Sequence, residues 1–136
     1  MYRIRPAKEH DAGEIVRLTQ EANMGTLSST GTSLVAEEDG LILGFIRITN
    51  IDDQAYVNPV VVAPAAQKRG VGRALMHAAH AENGELRFVA RGGAISFYET
   101  LGCERISWDD IAKDIANDCP TCKDLEACSP VPMRYR

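Results

Sequence analysis

The sequence predicts a mixed α/β fold, a largely antiparallel central sheet flanked by helices, with a cysteine-containing insert between its last two strands. Three observations predict it. Short β-type runs follow one another in hairpin order around Asp39-Gly40. A β-branched run, residues 55–63, leads straight into a glycine-containing loop and then a helical period. Between two late strand-like runs lies a stretch, residues 109–130, that holds Cys119, Cys122 and Cys128.

Taken in order, Tyr2-Arg3-Ile4-Arg5 alternates as a strand that Pro6 ends. Asp11 caps a helix with Glu14 three residues on, as in a capping box, and Ile15, Val16, Leu18 and Ala22 recur at helical spacing. Residues 26–32 are almost all Ser, Thr and Gly and read as a mobile loop. Residues 33–37 and 41–49 form a hairpin about Asp39-Gly40, with Gly44 as a bulge. Residues 55–63 form a strand buried on both faces, ended by Pro64. The next helix carries Val71, Leu75 and Ala78 or Ala79 on its core face and closes at Asn83-Gly84. A strand at 85–90, a short helix at 94–101, and strands at 103–108 and 131–136 complete the order β-α-β-β-β-α-β-α-β-β. Within the insert, residues 111–116 read as helical.

Size and charge exclude several classes. The 136 residues fit one domain, 1–136, able to bury about two-thirds of its unfolded surface. The longest apolar run, Pro59 to Ala66, is far short of the roughly 20 residues a bilayer requires. With no signal-type stretch at the start, the expected location is the cytoplasm and no membrane partner is expected. Fifteen basic against nineteen acidic residues give a net charge of −4, which argues against nucleic acid as a partner.

The chemistry concentrates between Val60 and Leu75. A buried strand enters a tight loop whose glycines stand where a helix begins. Gly70 and Gly72 allow close backbone approach, and the first-turn amides of a helix lack intrahelical acceptors. Those amides and the positive helix end bind an anion, typically a phosphate, with Lys68, Arg69 and Arg73 adding charge. The Walker spacing is absent, because Gly70 is followed by Val71-Gly72-Arg73, and the three-glycine dinucleotide fingerprint is absent too.

Gln67-x-x-Gly70-x-Gly72, following Val60-Val61-Val62, resembles the acetyl-CoA loop of the GNAT superfamily of N-acetyltransferases. Ala94-Ile95-Ser96-Phe97-Tyr98-Glu99-Thr100-Leu101-Gly102-Cys103 resembles the second signature of that superfamily at the expected distance, and the order of elements matches over nearly the whole chain. The resemblance implies a GNAT-like fold and an acyltransferase that moves acetyl from acetyl-CoA, its cosubstrate, to a primary amine of a small molecule or peptide. Attack would be direct, within one ternary complex.

By the same resemblance, Val60, Val61 and Val62 line the acetyl and pantetheine arm through their backbone. Gln67, Lys68, Arg69, Gly70, Val71, Gly72, Arg73 and Ala74 wrap the pyrophosphate. Tyr98 is the general acid that protonates the departing thiolate; a phenol of pKa near 10 is protonated at pH 7. Arg91 replaces the common Asn that contacts pantetheine and meets a coenzyme phosphate instead. Asn58 stands where many members carry the basic Glu; unable to take a proton itself, it positions a water that relays to Glu37, Glu38 or Asp109, or else the amine arrives neutral.

Family members commonly dimerise, so the resemblance leaves a homodimer open. An alternative reading is a coenzyme-A-binding regulatory module with little catalytic activity. The cysteine cluster reads as free thiols, a disulfide or part of a metal site, with no metal site assigned, and Cys103 as packing. His77 and His80 read as surface residues. The insert borders the acceptor pocket in this reading.

Overall fold

The computed structural model describes residues 2–21, 31–67, 69–90, 94–112 and 131–136. Among them are seven strands: β1 (Arg3–Pro6), β2 (Thr32–Glu38), β3 (Leu41–Ile51), β4 (Gln54–Val62), β5 (Leu86–Ala90), β6 (Glu104–Arg105) and β7 (Val131–Tyr135). They form one sheet in the order β1-β2-β3-β4-β5-β7-β6. Every pairing is antiparallel except β4 with β5. Three helices accompany the sheet: α1 (Ala12–Glu21), α2 (Val71–Asn83) and α3 (Ile95–Thr100). The element order is the one the periodicities predict. No helix among the described residues is long and apolar enough to cross a membrane.

Alternation along the strands splits the core into two sides. Ile46, Ile48, Val57, Leu86, Phe88 and Met133 pack with Val71, Leu75, Met76 and Ala79 of α2 and with Tyr98 of α3. The opposite side holds Val35, Ile42, Phe45 and Val61 against Leu18 of α1. A small cluster there joins Tyr56 to Ile111, with Val89 and Ile106 beside it.

Several local expectations are corrected. β1 begins at Arg3 instead of Tyr2 and ends on Pro6 as expected, with Pro6 paired to Leu34 because an edge strand tolerates a residue without an N–H. Asp11 ends a short 3₁₀ turn instead of opening a capping box. Its carboxylate accepts from the Lys8 N–H at 2.7 Å and from Arg5 at 2.8 Å, while Glu14 pairs with Arg17. Arg5 also binds Glu37, so this cluster ties β1, β2 and the start of α1. Val16 points outward, 53% exposed.

The bulge in β3 falls at Leu43, next to Gly44: Ala36 pairs with Gly44 and Glu37 with Ile42. β4 is only partly buried, with Asn58, Pro59, Val60 and Val62 intermediate. β6 is two residues long, since Trp108–Asp110 turn away as a 3₁₀ helix held by Ser107 Oγ, which accepts from the Asp109 N–H. Ile111 is extended and buried against Tyr56. The loop expected at 26–32 lies outside the described residues except for Gly31 and Thr32, as does most of the insert with Cys119, Cys122 and Cys128.

Candidate active site

The parallel pair β4–β5 is joined only at Ala55↔Leu86 and Tyr56↔Arg87. Beyond Tyr56 the two strands part, and β4 continues toward Val62 with its β5-side edge open. Which backbone groups face that gap follows from the ladder. Ala63 N–H donates to the Leu43 carbonyl at 2.8 Å, so it points toward β3. In-plane direction alternates, so Val61 also points toward β3 while Val60 and Val62 turn their N–H groups to the gap.

Chain geometry after Val62 then follows from the loop. Pro64–Ala66 make one 3₁₀ turn and Gln67 returns to extended backbone, its Nε2 reaching back to the Val62 carbonyl at 3.4 Å. Gly70 precedes α2 with φ +81°, a left-handed conformation that glycine adopts without strain. A Cβ there would have its closest neighbour, the Tyr2 hydroxyl, at 3.7 Å, so conformation and not space requires glycine. The Gly70 carbonyl accepts from Ala74 N–H at 3.0 Å and opens the helix. The amides of Val71, Gly72 and Arg73 therefore lack intrahelical acceptors at the positive end of a helix of 13 residues. Open main-chain donors on a strand edge and at the following helix mouth suit an elongated ligand with an anionic portion.

Charge at this mouth differs from the sequence expectation. Arg69 is exposed but engaged: its Nη2 donates to Glu38 Oε2 at 2.7 Å, and its guanidinium sits 6.0 Å from the Tyr2 ring centroid. The same bond holds Glu38 down to about 2. Arg73 is exposed and makes no ion pair among the described residues. Lys68 and Arg91 lie outside the described residues.

Tyr98 is 8% exposed, with ring centroids at 4.5 Å from Phe88 and 5.1 Å from Phe97. Burial, with a smaller contribution from Cys103, pushes the phenol up to about 12. Cys103 is itself buried, and its thiol is pushed up to about 11 by desolvation, so it is no nucleophile at neutral pH. Asn58 stands on β4 where the strand bulges; its carbonyl accepts from Arg47 Nη1 at 2.8 Å. Asn58 and Tyr98 are not hydrogen-bonded to each other; one stands on β4 and the other on α3.

The carboxylates offered as relays fare differently. Glu37 is held by Arg5 and Arg3 below the usual carboxylate range, and Glu38 by Arg69, so neither accepts a proton at neutral pH. Asp109 is exposed on the 3₁₀ turn beside a groove of about 270 Å³ lined by Tyr56, Gln54, Arg87 and Ile111.

One residue was missed by sequence reasoning. Phe97, 40% exposed, puts its Cζ 3.3 Å from where a Cβ on Gly72 would stand, with a Val62 methyl at 3.5 Å from the same point. An apolar ring thus lies over the first turn of α2 and beside the end of β4. Its place in the signature from Ala94 to Cys103 was the signal in the sequence, and sequence alone does not tell a covering ring from core packing.

Comparison with known proteins gives a consistent picture. The acetyltransferase (GNAT) domain profile matches residues 29–104. The peptidyl-lysine N-acetyltransferase YiaC of Escherichia coli K12 is 33% identical over 81 residues, which cover 56% of this chain and 53% of that protein. N-acetylglutamate synthase from Neisseria gonorrhoeae, solved with coenzyme A and N-acetyl-glutamate, superposes with a TM-score of 0.79 over 100% of this chain and 35% of its own, at 18% identity. A GNAT acetyltransferase from Brucella melitensis, solved with acetyl-CoA, matches with a TM-score of 0.62 at 25% identity, over 76% of this chain and 83% of its own. The chain thus spans about half the length of its curated relative and about a third of the synthase.

Proposed function

The chain belongs to the acetyltransferase (GNAT) family, and from that premise we propose that it transfers the acetyl group of acetyl-CoA to a primary amine. The observation that carries this is the continuity of two donor sets: the open edge of β4 at Val60 and Val62, and the unpaired amides at the mouth of α2. An extended arm ending in a diphosphate matches that sequence of groups. Val60 and Val62 pair with the pantetheine arm, with Val61 packing behind them. The loop from Gln67 through Lys68, Arg69, Gly70, Val71, Gly72, Arg73 and Ala74 wraps the diphosphate, and Arg91 meets a coenzyme phosphate. The domain acts as one unit.

Reaction follows by direct attack. The amine lone pair forms a bond to the thioester carbonyl carbon, the oxygen takes up charge, and collapse breaks the C–S bond. The Val60 N–H, the gap-facing amide farther from the α2 mouth and nearer Asn58, is the main-chain donor for that oxygen. Tyr98 faces the sulfur. At about 12, its phenol is a weaker acid than an ordinary thiol at about 8.5, so its main contribution is a strong hydrogen bond to the developing thiolate. The nitrogen gives its proton to a water held by Asn58, since Glu37 and Glu38 are committed to arginines.

The names of similar proteins supply the probes: a peptidyl-lysine N-acetyltransferase, an N-acetylglutamate synthase and, with a TM-score of 0.62 at 23% identity over 79% of this chain and 80% of its own, the ribosomal-protein-S18-alanine N-acetyltransferase from Escherichia coli. A thiol-release screen with acetyl-CoA and a lysine peptide, an alanine-ended peptide and L-glutamate tests the reading. Thiol release above the hydrolysis background, lost in Tyr98→Phe, supports it. Coenzyme A binding without release from any amine favours a second reading, a coenzyme-binding regulatory module, which the lack of a carboxylate at Asn58 also favours.

A further inference from the structure

Arg47 is the buried cation among the described residues, only 5% exposed. Its neighbours Ile46 and Ile48 face α2, so its side chain leaves the sheet on the α1 side. Burial there lowers its pKa, and a buried guanidinium is costly unless its donors are used. One use is explicit: Nη1 donates to the Asn58 carbonyl at 2.8 Å.

That bond falls at the one irregularity of the β3–β4 ladder. Ile46 pairs with Val60 and Ile48 with Val57, so Asn58 and Pro59 together oppose Arg47. The extra residue takes the Asn58 carbonyl out of regular pairing, and Pro59 has no N–H to offer. The bulge also inverts the alternation of β4. Val57 and Val60, three apart, pack toward the same side, with Val62 following, while Val61 joins the α1 side with Tyr56 opposite Val57. Were pairing one-for-one from Val57 onward, Val61 would stand opposite Gly44 and would turn its amide to the gap instead of Val60 and Val62.

We infer that Arg47 is a positioning residue for acetyl transfer: by holding the Asn58 carbonyl, it fixes the bulge that aims the adjoining Val60 N–H at the thioester oxygen. The inference rests on the proposed function, but it is separable from it. Arg47 does not touch the phosphate loop, so coenzyme affinity and carbonyl polarisation respond differently to its loss.

The test is isotope-edited infrared spectroscopy of acetyl-CoA labelled with ¹³C at the thioester carbonyl, bound to wild type, Arg47→Met and Arg47→Lys. Circular dichroism and calorimetry with coenzyme A are run on the same samples. Methionine replaces the buried charge with apolar volume, a change buried sites often tolerate; lysine keeps a donor for the Asn58 carbonyl and serves if the methionine variant fails to fold. Wild type is expected to shift the carbonyl band to lower frequency on binding. Arg47→Met is expected to lose most of that shift, Arg47→Lys to keep part of it, and both to bind coenzyme A within about threefold of wild type. Displacing a reacting group by about 1 Å costs on the order of a hundredfold in turnover, so a matching fall in rate is expected with any amine that supports release. A wild-type band position retained in Arg47→Met overturns the inference, as does a bound wild-type band equal to that in solution. Failure of wild type to bind acetyl-CoA overturns instead the function on which it rests.

Discussion

Replacing Tyr98 by phenylalanine separates chemistry from stability in a single variant. The ring packs on Phe88 and Phe97, and the hydroxyl has no hydrogen-bond partner among the described residues, so its removal strands nothing and leaves the apolar contacts in place. At pH 8 the variant should be as stable as wild type to within about 0.5 kcal/mol. At high pH the two should diverge. The phenol is pushed up to about 12 in the folded protein from 10.0, so the contribution of Tyr98 to stability is full below pH 10 and is lost as pH rises toward 12. At pH 11 the unfolded chain has largely ionised this group and the folded protein has not, a loss of about 1.4 kcal/mol.

Tyr98→Phe has no such loss, and every other side chain is common to the two proteins, so the rest cancels in the comparison. Urea unfolding at pH 8 and pH 11 measures this difference. The same variant should reduce turnover by about a hundredfold, the cost of removing one hydrogen-bond donor from a developing anion. Equal losses of stability from pH 8 to 11 in the two proteins would refute the buried phenol. Turnover within about threefold of wild type would refute its place beside the sulfur.

Three further outcomes are expected. Asp11→Asn should abolish an acid-limb loss of stability: Arg5 holds the Asp11 carboxyl at about 2 against an unfolded 3.8, so its contribution is present above pH 3.8 and lost as pH falls toward 2, as thermal melts across that range would record. Gly70→Ala should lower stability by about 1–2 kcal/mol, a fall of several degrees in Tm by calorimetry, because alanine must adopt φ +81° where no clash opposes it. Phe97→Ala should weaken coenzyme A binding roughly tenfold through lost apolar contact while leaving adenosine 3′,5′-bisphosphate unaffected, since the ring lies between Gly72 and Val62, on the arm side of the loop.

Most of the fold was legible because strong local signals agreed with the global pattern. Asp39-Gly40 sets the hairpin, with both residues at positive φ, and Gly70 and Gly84 bracket α2. The loop after Val62 was legible because two glycines and a strand-to-helix transition leave few geometries. What escaped depends on partners distant in sequence. The commitment of Glu38 to Arg69, 31 residues away, leaves no local trace, nor does the pairing of Glu37 with Arg3 and Arg5. A bulge was expected in β3 at Gly44 and lies one residue away, but the second bulge, at Asn58-Pro59, went unread. Pro59 signalled interrupted pairing without saying which side chain, Arg47, would take up the freed carbonyl. Likewise β6 stopped after Arg105 because Ser107 captures the Asp109 amide, a local competition that strand propensity over residues 103–108 conceals.

The central claim is that main-chain amides at the mouth of α2 hold a diphosphate. Calorimetric titration of the folded protein with coenzyme A, with and without excess inorganic pyrophosphate, tests it most directly. Saturable binding of one coenzyme per chain, weakened when pyrophosphate occupies the same amides, is the predicted result. An absence of binding heat, or an affinity that pyrophosphate leaves unchanged, would contradict it.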